Sequence, residues 1–185
     1  MYSIRSMRCV DIPQLSHLEL HNAFHRVDSL VIENAGPLEE KLRKGTVIHS
    51  RDEWDETSNF IGSLTVASNS CNRYSFSELD YSHIQFLCEL FIGDECLHCV
   101  KELRLCGLER LEKVVIGKKS LCTTDGCFEC VNCEQLKTLK IGNESCGAWN
   151  RFAVMDCGVS EIRVGDECFV NCEFVSLVSA CAGGK

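Results

Sequence analysis

Residues 103–121 read LRLCGLERLEKVVIGKKSL, and residues 128–146 read FECVNCEQLKTLKIGNESC. Aligned on Ile116 and Ile141, the two stretches match position by position in character. Leu105 falls on Cys130, Leu108 on Cys133 and Leu111 on Leu136. Val114 falls on Leu139, Gly117 on Gly142 and Ser120 on Ser145. A match of this kind at a fixed shift is the signature of a stacked-repeat architecture, and it takes precedence over any local reading.

Working outward, one apolar-x-x-apolar-x-apolar triplet recurs six times: Val27, Leu30, Ile32; Ile61, Leu64, Val66; Leu87, Leu90, Ile92; Leu111, Val114, Ile116; Leu136, Leu139, Ile141; and Val159, Ile162, Val164. Its last members are separated by 34, 26, 24, 25 and 23 residues. A further copy, Leu15, Leu18, Leu20, lies nearer the start. Alternation within the triplet predicts a short strand with one buried face. Directly after it stand Gly93, Gly117, Gly142 and Gly165, in IGDECL, IGKKSL, IGNESC and VGDECF. These are read as turn glycines chosen for positive φ. None belongs to a phosphate-cradling glycine motif. An apolar pair before most triplets (Leu79/Tyr81, Leu103/Leu105, Phe128/Cys130, Phe152/Val154) predicts a second short strand per unit. One unit cannot bury its own apolar edge, but stacked neighbours can.

On these strings the chain resembles the BspA-like leucine-rich repeats, well over residues 76–175 and less well over 15–75. The resemblance implies a curved solenoid whose triplet strands form a parallel sheet, acting as a binding surface and not as an enzyme. The fold expectation is a β-rich α/β solenoid of about six units in a single domain, 1–185. Residues 15–75 form its irregular repeats, with an insertion at 33–60. Within that insertion PLEEKLRK predicts a short exposed helix, with Pro37 in its first turn and Glu-to-Lys spacing. RDEWDETSN reads as acidic loop.

Composition narrows the function classes. Of 185 residues, 45% are apolar, which is ordinary for a globular protein. Nineteen Lys and Arg against 27 Asp and Glu leave a formal charge of -8, the wrong sign for nucleic acid. No run reaches the length of a membrane span, and MYSIRSMRCVDIPQ lacks the apolar stretch of a secretory signal. The expectation is a cytoplasmic chain with no nucleic-acid or membrane partner. Its 15 Cys would then be mostly reduced. The sequon Asn143-Glu144-Ser145 would matter only in a secreted chain.

Cysteine spacing offers one metal reading. Cys96-x-x-Cys99 and Cys127-x-x-Cys130, extended by Cys133, have the spacing of zinc thiolates and make a zinc or redox module the alternative function. Repeat alignment offers another, since several of these cysteines occupy positions that sister units fill with Leu or Ser. They would then be core and turn thiols. His17, His21 and His25 recur every four residues, yet the Leu15–Leu20 triplet runs through them and favours surface histidines without metal. No nucleophile elbow or oriented Cys–His or Ser–His set is present. The carboxylates at Asp94, Glu95, Asp166 and Glu167 recur with the repeat, so no enzyme activity and no cofactor are expected.

The functional expectation is therefore a non-catalytic protein-interaction scaffold, with partner identity unspecified. Its binding face would carry Thr65, Phe91, Val115, Lys140 and Arg163, flanked by Ser63, Glu89, Lys113, Thr138 and Glu161. A repeat fragment with little independent function is a further alternative. The apolar run after the last triplet (Phe169, Phe174, Val175, Leu177, Val178) has few gatekeeping charges. It is expected either to fold back as a cap or to support self-association through the C-terminal edge.

Overall fold

The computed structural model describes residues 4–14, 27–33, 35–36, 45–55, 57, 61–73, 77–82 and 84–179. The His17/His21/His25 set, the Leu15–Leu20 triplet and the PLEEKLRK helix lie outside the described residues.

The main body is a parallel β-solenoid of about five turns, built from two sheets. The strands of the first, in chain order, are β3 (Gly45–Ile48), β4 (Ser63–Val66), β6 (Glu89–Ile92), β8 (Lys113–Ile116), β10 (Thr138–Ile141) and β12 (Glu161–Val164). Those of the second are β5 (Glu78–Asp80), β7 (Glu102–Cys106), β9 (Cys127–Val131), β11 (Arg151–Met155) and β13 (Phe174–Val178). From β4 onward each coil contributes one short strand to each sheet, β3 adds a sixth strand to the first sheet alone, and all pairings are parallel. Apart from these, β1 (Ile4–Val10) and β2 (Val27–Glu33) form a two-stranded parallel sheet of their own.

The periodicity explains the burial. In β4, β6, β8 and β10 inward and outward positions alternate. Leu64, Leu90, Val114 and Leu139 are fully buried, facing Leu103, Leu105, Phe128 and Cys130 of the other sheet in one continuous core. At about 25 cal/mol per Å² of apolar surface, each such Leu contributes roughly 2 kcal/mol. That gain exists only because the neighbouring coils are in place.

Two readings of the N-terminal third change. Val27, Leu30 and Ile32 do not belong to the triplet sheet; they lie on β2. The sixth strand of that sheet is β3, from GTVI inside the 33–60 insertion, with Val47 paired to Thr65 and Ile48 to Val66. RDEWD is helical (α1, Arg51–Asp55) and not loop. Ser50 Oγ accepts the N–H of Glu53 at the helix start, the capping contact that orphan helical amides need. Buried Trp54 packs edge-on to Tyr81 at 4.9 Å, so the acidic residues around it coat one anchored turn. It is the only described helix of several residues, and the described residues form a β-solenoid without an α layer.

The turn glycines also have a different cause. None of Gly93, Gly117, Gly142 or Gly165 has a positive φ. A Cβ on Gly117 would stand 2.6 Å from the carbonyl carbon of Gly93, one on Gly142 2.7 Å from that of Gly117, and one on Gly165 2.6 Å from the amide nitrogen of Asn143. They are glycine because neighbouring coils touch there through main chain. Positive φ falls on side-chain-bearing residues two and four positions later: Glu95, Lys119, Glu144 and Glu167, then Leu97, Leu121, Cys146 and Phe169. Such residues carry a cost of about 1–2 kcal/mol each. The amides they redirect recover it. The N–H of Glu95 donates forward to Lys118 O at 2.8 Å, and that of Leu121 back to Cys96 O at 3.0 Å.

The two roles separate within one turn. Gly117→Ala is expected to lower stability by about 2 kcal/mol through overpacking. Lys119→Gly, at φ 54 with an exposed side chain, should raise it by up to ~1 kcal/mol by relieving the left-handed conformation. Urea unfolding midpoints of the two variants test this; a Lys119→Gly protein less stable than Gly117→Ala would refute the assignment.

Candidate functional site: the triplet-sheet face and the thiols behind it

Register brings the predicted face together. Thr65 pairs with Phe91, Phe91 with Val115, Val115 with Lys140 and Lys140 with Arg163. One straight row thus crosses the sheet, extended at its N-terminal end by Val47, which is 51% exposed. At about 4.8 Å per strand the row is roughly 24 Å long. Beside it runs a second row: Ser63, Glu89, Lys113, Thr138 and Glu161. Arg163 is exposed, while Thr65, Phe91, Val115 and Lys140 are half-buried by their neighbours across the strands. Sequence reasoning missed Val47, because GTVI carries only part of the triplet pattern.

The row is graded in chemistry. Its first half presents Val47, Phe91 and Val115, with the Lys113 ammonium 5.0 Å from the centre of the Phe91 ring, a cation–π contact. Its second half is basic and held by one carboxylate: Glu161 lies 3.4 Å from Lys140 Nζ and 2.6 Å from Arg163 Nε. Partial desolvation lifts the Glu161 carboxyl, but Arg163 and Lys140 outweigh it and hold the group below its ordinary value. The opposite sheet carries ion pairs as well. Its outward charges pair with one another, Arg104 with Glu102 and Glu129, and Arg151 with Glu129 at 2.9 Å, while Arg151 covers the Phe174 ring.

The predicted zinc set is not one cluster. Cys96 lies at a coil corner where Ser70, Ser120, Ser145 and Cys168 occupy the equivalent place. Ser120 Oγ donates to Gly93 O at 2.7 Å, Ser145 Oγ to Gly117 O at 2.6 Å and Cys168 Sγ to Gly142 O at 3.1 Å. Cys96 Sγ donates to Gly93 O at 3.1 Å, and its amide N–H donates to Ser120 Oγ. The corner needs a small donor for a buried carbonyl, and Ser and Cys both supply one. Burial pushes the Cys96 thiol up to about 11. Cys99 Sγ donates to Asn72 O at 3.3 Å. Cys127 faces outward beside Arg151 and Glu129, its thiol raised to about 11 by burial and then by that carboxylate.

Only Cys130 and Cys133 of the predicted five converge, and their third member is Cys157. Repeat alignment could have found it: Val131 pairs with Met155, and a cysteine follows each by two residues. Counted from the triplet, Cys133 lies eight residues before Ile141 but Cys157 only seven before Val164, and that one-residue offset obscured the match.

A cleft of 570 Å³ opens between α1 and the turn at 69–73, lined by His49, Arg51, Asp52, Cys71 and Arg73 among others. His49 there contacts Glu53 at 3.2 Å, and burial raises the Cys71 thiol above its ordinary value. Among the described residues no helix is long and apolar enough to cross a membrane. Comparison with family models, curated proteins and solved structures returned no match.

The corner ladder has a measurable signature. Ser120→Ala strands the Cys96 amide in the core and leaves the Gly93 carbonyl to the weaker Cys96 thiol donor alone, at an expected cost of about 1–3 kcal/mol. Ser120→Cys should retain more than half of that stability, as Cys96 and Cys168 do naturally. Equal losses for both variants in denaturant titrations would show that the donor is immaterial.

Proposed function

We propose that this chain is a non-catalytic protein-interaction scaffold of the BspA-like leucine-rich-repeat kind, working in a cytoplasmic setting and binding through the triplet-sheet face. The observation that carries the reading is the row from Val47 to Arg163. It is a continuous strip, apolar at one end and basic at the other, set on rigid strands whose registry leaves little freedom to lose on binding. Aromatic and Arg side chains of the kind that anchor interfaces sit on it. The partner this strip fits presents an apolar segment followed by acidic residues.

A second contact is proposed at the C-terminal end, with another copy of the chain as its occupant. Ile162 and Val164 occupy inward positions whose counterparts Leu139 and Ile141 are 0% and 3% exposed, yet they are 37% and 45% exposed. On β13, Val175 and Leu177 are 60% and 58% exposed. β13 is an ordinary edge strand paired with β11, and no described residue folds back over it. An open apolar coil end with an unpaired strand edge favours association.

Affinity capture with the wild type and a Phe91→Asp, Lys140→Glu, Arg163→Glu variant tests the first contact. The variant is expected to lose its specific partner by more than tenfold, and an unchanged partner set would overturn the reading. Light scattering over a hundredfold dilution tests the second: the wild type should dissociate on dilution and Val175→Lys, Leu177→Lys should remain monomeric. A wild-type monomer throughout would remove self-association.

A further inference from the structure

Three buried sulfurs meet where two coils stack. The Sγ atoms of Cys130, Cys133 and Cys157 all lie within 4.8 Å of one another, with Cys130 and Cys157 3.6 Å apart. The topology makes this meeting. Cys130 is an inward residue of β9, between Leu105 of β7 and Val154 of β11. Cys133 turns the corner after β9, and Cys157 occupies the same corner one coil later. Cys130 and Cys133 are 0% exposed and Cys157 is 7% exposed. No other His, Cys, Asp or Glu among the described residues joins the group.

We propose that Cys130, Cys133 and Cys157 form a closed, three-coordinate thiolate site for copper(I).

The donor set selects the ion. Thiolates are soft ligands and favour copper(I), zinc and iron–sulfur clusters over hard cations. A closed zinc site takes four protein ligands in a tetrahedron. Here three sulfurs face one another in a dry corner with no fourth ligand among the described residues. That arrangement suits an ion satisfied by three. With metal–sulfur bonds of about 2.3 Å, three sulfurs round a central ion stand about 4 Å apart, so the present spacing closes with small side-chain movements. The walls are apolar, with Leu105, Leu108 and Leu136 buried around the group, which excludes competing water.

Binding is a proton exchange in which no electron moves: the copper enters as Cu+, three S–H bonds break, three Cu–S bonds form, and three protons leave. At present those S–H groups use main-chain carbonyls. Cys133 donates to Leu105 O at 3.3 Å and Cys157 to Met155 O at 3.2 Å. Since protons compete with the ion, affinity rises with pH.

The repeat itself supplies the control variants. Leu105 stands at the Cys130 position in the preceding coil and Leu108 at the Cys133 position, both buried. Cys130→Leu and Cys133→Leu therefore place side chains that this architecture already accepts. The reduced protein would be titrated without oxygen against copper(I) held by a chromophoric chelator. One ion per chain is expected to be withheld at least tenfold more strongly than any later one, and X-ray absorption should count three sulfur neighbours around it. Cys130→Leu, Cys133→Leu and Cys157→Ser should each lose that first ion while keeping the far-ultraviolet circular dichroism of the wild type; Cys122→Ser and Cys96→Ser should keep it. If Cys157→Ser does not fold, the two Leu variants decide. A first ion retained in those variants, two sulfurs in the absorption spectrum, or displacement of the copper by equimolar zinc would overturn the assignment.

Discussion

Main-chain hydrogen bonding between coils at the turns after the triplet strands is the constraint on which everything else depends. The Gly93 amide reaches back to Val66 O, that of Gly117 to Ile92 O, that of Gly142 to Ile116 O and that of Gly165 to Ile141 O, at 2.7–2.9 Å. Two residues later the direction reverses, and Glu95, Lys119 and Glu144 donate forward to the next coil. Each turn is thereby bonded on both sides. The coils can come this close only where a residue has no Cβ, and the chain can send amides both ways only where φ turns positive. Strand pairing, core alternation and the straight surface rows then follow from a register already locked at the corner.

That lock explains why side-chain chemistry on this scaffold comes in ladders. A residue in one coil is stacked on its equivalent in the next, so a useful position is used repeatedly. Ser or Cys stands at the corner of five successive coils and donates to a turn carbonyl each time, Cys96 and Ser120 sharing that of Gly93. The outward row accumulates Val, Thr, Phe, Val, Lys and Arg in one line. Even the buried oddities obey the rule: Gly126 is glycine because any Cβ there would collide with the Trp149 indole, whose Nε1 finds no hydrogen-bond partner among the described residues. Full burial of that ring outweighs one unsatisfied donor, since removing a large aromatic from a core costs about 3–5 kcal/mol.

Much of this was legible in the amino-acid order, for a physical reason. Period-2 alternation and a near-constant repeat length report directly on parallel stacked strands, so Leu64, Leu90, Val114, Leu139 and Ile162 fell on the strands expected of them. Position-by-position alignment likewise told that Cys96 is a stand-in for Ser. What escaped were features whose letters have two causes. Glycine after a strand signals either a left-handed turn or a close approach, and only the geometry distinguishes them. β3 was hidden because it follows the preceding strand pattern at an irregular distance and carries Gly45 where its sisters carry Ser, Glu, Lys or Thr. α1 was hidden because four of its five residues are charged and its anchor, Trp54, is a single letter. Cys157 was hidden by a one-residue contraction between it and the triplet that follows.

Stacking in one dimension has a last consequence, which concerns how the molecule opens. Each coil contacts chiefly the coils before and after it, so opening proceeds from an end inward like a zipper and not all at once. Among the described residues the coil bearing β12 and β13 has a neighbour on one side only, and its inward Ile162 and Val164 remain partly exposed. Amide protons there should exchange with solvent first, and those of β8 and β9, flanked on both sides, last. The surface row is thus graded in persistence as well as in chemistry: Val115 is displayed by one of the slowest-opening strands, Phe91 by the strand paired with it, and Arg163 by the one that frays first.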